Sequence, residues 1–185
     1  RFAPLLCGFE QAFARRRLSL RVIGIDPGFA TTGYGVVERI EGRLVAIDHG
    51  AIRTPAHAAQ AERLGTLQAA IDELLDRHAP VAVSVERLFF NVNVRTAMAV
   101  GQASGVALAT AAAAGLPVFE YTPLEVKQSV VGVGNASKGQ VGTMVASLLA
   151  LASPPTPADA ADACAIAICH LTRARLNSAI ARAAK

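Results

Sequence analysis

The sequence predicts an α/β domain built on a mixed five-stranded sheet flanked by helices. Two observations carry this expectation. Three short apolar segments follow one another through tight connections between Arg21 and Ile52, which makes an antiparallel meander. Two further strand-like segments come after helical segments, and a strand reached through a helical crossover pairs in parallel. The length agrees, since 185 residues make one domain at roughly 100–200 residues per domain.

The elements read in order as follows. Arg21-Val-Ile-Gly-Ile-Asp26 is an apolar run closed by Pro27-Gly28, a strand ending in a turn. Gly33 to Ile40 is a second strand, Glu41-Gly42-Arg43 a tight turn, and Leu44 to Ile52 a third strand. From Ala61 to His78, Leu64, Leu67, Ile71, Leu74 and Leu75 recur at helical spacing until Pro80 stops the pattern. Val81 to Glu86 is a fourth strand. Arg95 to Ala114 is a helix closed by Gly115, and Pro117 to Tyr121 a fifth strand. Pro123 to Val131 is a short helix, followed by a Gly-rich loop to Lys138 and a helix from Gln140 to Ala152. Pro154-Pro155 breaks the chain before a last helix from Pro157 to about Arg173. The domain spans residues 21–173. Residues 1–20 read as a loosely ordered N-terminal extension, with a DNA-touching arm as the sharper alternative given Arg15, Arg16 and Arg17. Residues 174–185 read as a basic tail.

Composition narrows the function. Hydrophobic residues are 52% and charged residues 17%, which excludes a disordered chain. Eighteen Lys and Arg against fourteen Asp and Glu give a net charge of +4, a mild excess suited to a phosphate or nucleic-acid partner. Cys7, Cys164 and Cys169 form no Cys-x-x-Cys pair, so a reducing cytoplasm is the expected compartment. Thr96 to Phe119 carries no charge and could span a bilayer at ~20 residues. It is mostly Ala, Gly, Ser and Thr, however, so it reads as a buried helix and strand, with no membrane partner.

Four acids occupy unusual places. Asp26 ends the first strand and Glu86 the fourth. Asp159 and Asp162 open the last helix three residues apart, on one face. Carboxylates beside buried strands are costly unless paired, hydrogen-bonded or bound to a cation. Carboxylate oxygens suit Mg²⁺ or Mn²⁺, and a pair of such ions supports phosphodiester hydrolysis. Ordinary roles compete. Asp before Pro-Gly is a common turn residue. Glu86 could pair with Arg87. Thr156-Pro157-Ala158-Asp159 has the form of a helix start with Thr as N-cap and an acid favoured by the helix dipole. Asp162, on an apolar helix, has the weakest ordinary explanation.

Five segments in order, Ile25-Asp26-Pro27-Gly28, Val85-Glu86, Gly101-Gln102-Ala103-Ser104-Gly105, Val126-Lys127-Gln128-Ser129-Val130-Val131-Gly132 and Ala158-Asp159-Ala160-Ala161-Asp162-Ala163, resemble the RuvC-type Holliday-junction resolvases, bacterial crossover junction endodeoxyribonucleases. The resemblance covers about residues 21–173. It implies a ribonuclease-H-like fold and a homodimer that nicks two opposing strands of a four-way DNA junction symmetrically. It also implies Mg²⁺ as cofactor, two ions per active site, with Mn²⁺ as a substitute. The family's metal-binding acids match Asp26, Glu86, Asp159 and Asp162. Its base-stacking aromatic matches Phe89, with Phe90 as an extra candidate. Its basic DNA contacts match Lys127 and Lys138, and Arg95 joins the DNA-binding candidates. Lys138 is also a candidate for acting on the scissile phosphate. RuvA and RuvB, the branch-migration proteins, are the partners it implies.

Other readings stay open at this stage. Both Phe residues could be core, and the two lysines ordinary surface charge. Gly101 and Gly105 on one uncharged helix suit either a dimer interface or helix-on-sheet packing. His170, near the expected end of the last helix, sits where a cation is favoured. Asp26-Pro-Gly28 also resembles the first phosphate loop of actin-like ATPases and sugar kinases, but no second Asp-x-Gly loop follows and the chain is too short for two lobes. A junction-binding protein without catalysis, or a related nuclease acting on RNA or another branched substrate, are the remaining alternatives. Pure binding has no use for four acids beside phosphates.

Overall fold

The computed structural model describes residues 20–87 and 94–183, with side chains described for 20–87 and 97–174. The elements follow in the order β1 (Leu20–Asp26), β2 (Thr31–Ile40), β3 (Arg43–Arg53), α1 (Gln60–His78), β4 (Ala82–Glu86), α2 (Val94–Ala113), β5 (Val118–Tyr121), α3 (Pro123–Val131), α4 (Lys138–Leu148) and α5 (Ala158–Ala183). The strands form one sheet in the order β3-β2-β1-β4-β5. β1, β2 and β3 pair antiparallel through short hairpins. β4 and β5 add in parallel through the crossovers that contain α1 and α2. The mixed five-stranded sheet expected from the connection lengths is present.

Register then decides what meets at the sheet's carboxyl end. Ile25 pairs with Val85, so the next residues, Asp26 and Glu86, emerge side by side from adjacent parallel strands. Asp26 also pairs with Gly33 across the hairpin, and Glu86 with Tyr121. The carboxyl ends of parallel strands are where α/β folds place their ligands.

Alternation along the strands feeds two cores. Ile23, Ile25, Val36, Val83 and Val85 face α1 and α2, meeting Leu67, Ile71, Leu74 and Leu75 of α1 and Ala103, Ala107 and Ala111 of α2. Val22 and Val37 face α5, and α3 and α4 pack over that helix. α5 is thus sandwiched between sheet and helices, which is why Ala160 and Ala161 and then every residue from Ala163 to Leu171 are buried. A helix enclosed in this way needs no polar stripe until it leaves the core.

Glycine sets how close α5 comes. A Cβ at Gly24 would lie 2.1 Å from the Ala163 carbonyl oxygen and 2.7 Å from the Ala167 nitrogen. A Cβ at Gly33 would lie 2.0 Å from the Asp159 carbonyl oxygen. Backbone packs directly on backbone, a role strand glycines serve because no side chain intervenes. The first turns of α5, and the two acids on them, are thereby drawn down to the end of β1.

Some element bounds differ from the sequence reading, for local reasons. α4 starts at Lys138, not Gln140, because Ser137 and Gln140 form a reciprocal capping box. It ends at Leu148, before Ala150 enters the left-handed region at φ 54°. α5 starts at Ala158, so Pro157 lies outside it and is not the first helical residue that the sequence reading expects after a Thr156 cap. α5 also runs on to Ala183, where the sequence reading ended it near Arg173. His170 is consequently mid-helix. Burial lowers its pKa, contrary to the cation expected at a helix end. Gly105, one of two glycines expected to allow close approach, faces outward, and a Cβ added there would meet nothing within 4 Å, while the alanines make the sheet contact. Among the described residues, no helix is long and apolar enough to cross a membrane.

Candidate active site

A cleft of about 320 Å³ opens at the carboxyl ends of β1 and β4, lined by Asp26, Glu86, Pro123, Val126, Lys127, Lys138, Val141, Asp162, Ala165 and Ile166. Four elements supply its polar groups. β1 and β4 deliver Asp26 and Glu86 through their shared register. α5 delivers Asp162 because Gly24 and Gly33 let its first turns descend. α4 delivers Lys138 because the Ser137 capping box starts the helix at that residue. Asp159 lies above Gly33, with its Cβ 3.0 Å from a Cβ placed there.

Electrostatics dominate the cleft. Burial, then the charges of Glu86 and Asp162, push the Asp26 carboxyl up to about 7, with a further contribution from Asp159 and opposition from Lys138. Burial also raises Glu86, helped by Asp162; Lys138, a hydrogen bond with Asp26 and Lys127 oppose it. Like charges forced together in a low-dielectric pocket disfavour ionisation, which is why both carboxyls shift upward. Lys138 Nζ donates to Asp162 Oδ2 at 2.8 Å although its side chain is 81% exposed. That hydrogen bond and the Asp162 charge raise the Lys138 pKa, so its ammonium persists.

The donor set fits a hard divalent cation. It offers only carboxylate oxygens, it is partly buried, and its acids repel one another, which raises both Asp26 and Glu86. Among the described residues no three such groups are already gathered around one point; Lys138 is the cation the acids face.

Surrounding contacts hold the frame. Arg63 donates to the Phe29 carbonyl oxygen at 3.1 Å and to Thr54 Oγ1 at 2.9 Å, and its guanidinium lies 4.0 Å from the Phe29 ring centroid. Thr54 Oγ1 donates to the same carbonyl at 2.8 Å. The loop leaving Asp26 is thus pinned to α1 and β3. On the far side, Arg173 pairs with Glu125 at 2.8 Å and donates to Ser129 Oγ, tying α5 to α3. Tyr121 shares a 2.8 Å hydrogen bond with His170.

The structure brings Asp26, Glu86, Asp162, Lys127 and Lys138 together and sets Asp159 within the same field, though outside the cleft lining. Glu86 turns to Asp26, while the Arg87 charge acts on Glu125. Phe89 and Phe90 lie outside the described residues, as does the Arg95 side chain. Sequence reasoning missed the apolar walls from Pro123, Val126 and Val141 and the Arg63 clamp. The walls had a signal in the helical spacing of α3. The clamp had none, since it joins residues far apart in sequence.

Known proteins share this fold. A family model described as crossover junction endodeoxyribonuclease RuvC matches residues 22–170. The chain belongs to the RuvC family. Crossover junction endodeoxyribonuclease RuvC from Syntrophomonas wolfei is 52% identical over 159 residues, covering 86% of this chain and 92% of that protein. The Streptomyces coelicolor RuvC is 52% identical over 167 residues, covering 88% and 89%. Among solved structures, Thermus thermophilus RuvC in complex with Holliday junction substrate superposes with a TM-score of 0.81 at 39% identity, covering 85% of this chain and 96% of that one. The yeast mitochondrial Holliday junction resolvase Ydc2 shares the fold, with a TM-score of 0.65 at 16% identity over 86% of this chain and 81% of that one. The ribonuclease-H-like architecture expected from the RuvC resemblance therefore stands.

Proposed function

We propose that this chain is a structure-selective endonuclease that resolves four-way DNA junctions by paired symmetric nicks, leaving 5′-phosphate and 3′-hydroxyl ends, in recombination and repair. The observation that carries the reading is the cleft itself: Asp26, Glu86 and Asp162 converge beside Lys127 and Lys138 in a RuvC-family chain. Members of that family are metal-dependent nucleases. Asp26, Glu86, Asp159 and Asp162 are the residues that hold the cation, Mg²⁺ with Mn²⁺ as substitute, two ions per site. Bound divalent cations supply water activation and charge neutralisation at the phosphate.

The chain's own groups do the rest. Asp26 and Glu86 would offer the cation carboxylate oxygens whose mutual repulsion its positive charge would relieve. Lys138 holds Asp162 in place and lends positive charge toward the phosphate, and Lys127 tempers Glu86 from the α3 side. Phe89 or Phe90 stacks on a base near the cut, with Arg95 at the start of α2 on the DNA side. The substrate's two-fold symmetry calls for two active sites, hence a homodimer. The outward face of α2, with exposed Met98 and Gly105, is available for its interface. RuvA and RuvB are the partners, and the cytoplasm is the compartment.

The test is cleavage of a labelled synthetic four-way junction, with linear duplex and RNA–DNA hybrid as controls. The reading expects cuts in the junction alone, and only with Mg²⁺ or Mn²⁺. Equal cutting of duplex or hybrid contradicts it. Lys138→Ala should lower the cleavage rate at saturating Mg²⁺ by about 10–100-fold, the scale for residues that orient metal ligands, because it releases Asp162. A wild-type rate would reduce Lys138 to surface charge.

A further inference from the structure

Two large apolar side chains stand exposed where a soluble surface has least use for them. Leu124, near the start of α3, is 55% exposed, and Val133, in the loop between α3 and α4, is 51% exposed. Leu124 stands beside the lining of the acidic cleft, and Val133 follows in the loop that leads to it. Pro123, beside Leu124, lines the cleft, and so does Lys127, three residues on and on the same helical face. The loop's far end carries Lys138, the cation on Asp162.

Leu124 is also seated. A Cβ at Gly134 would fall 2.2 Å from Leu124 Cδ1 and 3.8 Å from Gln128 Cγ. The bare backbone of Gly134 therefore makes room for the leucine, which rests over the loop next to Val133. The result is an apolar lip on the chain segment that carries both lysines of the cleft. A DNA strand has the matching pattern: phosphates for the lysines on one edge, sugar and base for the lip on the other. Aliphatic side chains of this kind serve as wedges against base steps in other DNA-binding folds.

We infer that Leu124, supported by Val133 and Gly134, is a wedge that presses on the sugar and base flanking the scissile phosphate and holds that base out of its stack. The inference rests on the junction-cleaving reading of the cleft and adds a residue that opens the strand there. It makes Leu124 a positioning residue, since the acids do the chemistry.

The test uses a four-way junction carrying 2-aminopurine next to the cut, whose fluorescence rises on unstacking. Metal-free wild-type protein should raise it on binding. Leu124→Ala should lose most of that rise while junction affinity changes less than about twofold. Its cleavage rate in Mg²⁺ should fall about tenfold on a fully paired junction, the scale of one lost apolar contact. An unpaired nucleotide at the same place should restore the rate, and Leu124→Met should retain it. Gly134→Ala, which displaces the leucine without touching it chemically, should behave like Leu124→Ala. Wild-type fluorescence and rate in Leu124→Ala would overturn the inference. So would an equal loss on paired and unpaired junctions, which would make Leu124 a support for α3. Failure of the wild type to cut any junction would overturn the reading of the cleft instead, and the metal-free fluorescence would still decide the wedge.

Discussion

Asp26→Asn should abolish junction cleavage and, in metal-free protein above neutral pH, raise the melting temperature. Both results follow from one carboxylate. As a cation ligand its loss should lower the rate by at least about 10²–10³-fold, the scale on which a single charge-stabilising group acts. Junction affinity should hold, since the change removes a negative charge facing phosphates. The stability effect follows from linkage. The folded-state pKa of Asp26 is raised from 3.8 to about 7. The folded protein therefore binds the proton more tightly than the unfolded chain, and stability is lost as pH rises from about 4 through 7. Asparagine carries no such penalty. At pH 8 the variant should melt several degrees higher, at about 2–4 °C per kcal/mol for a chain of this size. At pH 4 the two should coincide. Mg²⁺ should stabilise the wild type more at pH 8 than at pH 5, because the proton competes with it, and should barely stabilise the variant. A variant that melts lower at pH 8, or cuts normally, would mean that Asp26 is not the repelled carboxylate of this cleft.

Gly24→Val should be the most destabilising single change on the sheet. Its first added atom meets the Ala163 carbonyl at 2.1 Å, and backbone held on both sides cannot yield. Overpacking of this kind costs about 3 kcal/mol or more, which calorimetry should read as a fall of roughly 6–12 °C. Gly33→Ala strikes the same helix at Asp159. It should lower cleavage beyond its effect on melting, because it lifts the acidic turn away from Asp26. Gly65→Ala is the control: it lies exposed in α1 with nothing within 4 Å, and should be neutral or stabilising by roughly 0.5–1 kcal/mol. If Gly24→Val melts with the control, α5 does not bear on the sheet as described.

These cases show what was readable in the chain. Local chemistry is written locally: Pro27-Gly28 closes β1, and Leu67, Ile71, Leu74 and Leu75 mark the buried face of α1. The antiparallel meander and the parallel pairing of the later strands followed from connection lengths, whereas the order β3-β2-β1-β4-β5 was not read. The acids were visible as charges in apolar settings, and their convergence follows from one register pair and one helix descent. The sequence reading ends α5 near Arg173 because residues 174–185 read as a basic tail. In the fold Arg173 instead bridges to Glu125 and Ser129, and the helix continues. The starts of α4 and α5 were each misplaced where a side-chain cap or a proline decided the matter by geometry. The glycine seats were legible only as strand glycines, since which element presses on them depends on tertiary packing.

The most direct test of the central claim maps the cuts. Each strand of a four-way junction is labelled in turn, incubated with wild-type protein in Mg²⁺, and the nicked product is treated with DNA ligase. The account predicts nicks at symmetric positions on two opposing strands, fully resealed by ligase, and none in Asp26→Asn or in chelator. Nicks that persist in chelator, fall on one strand only or resist ligation would contradict it.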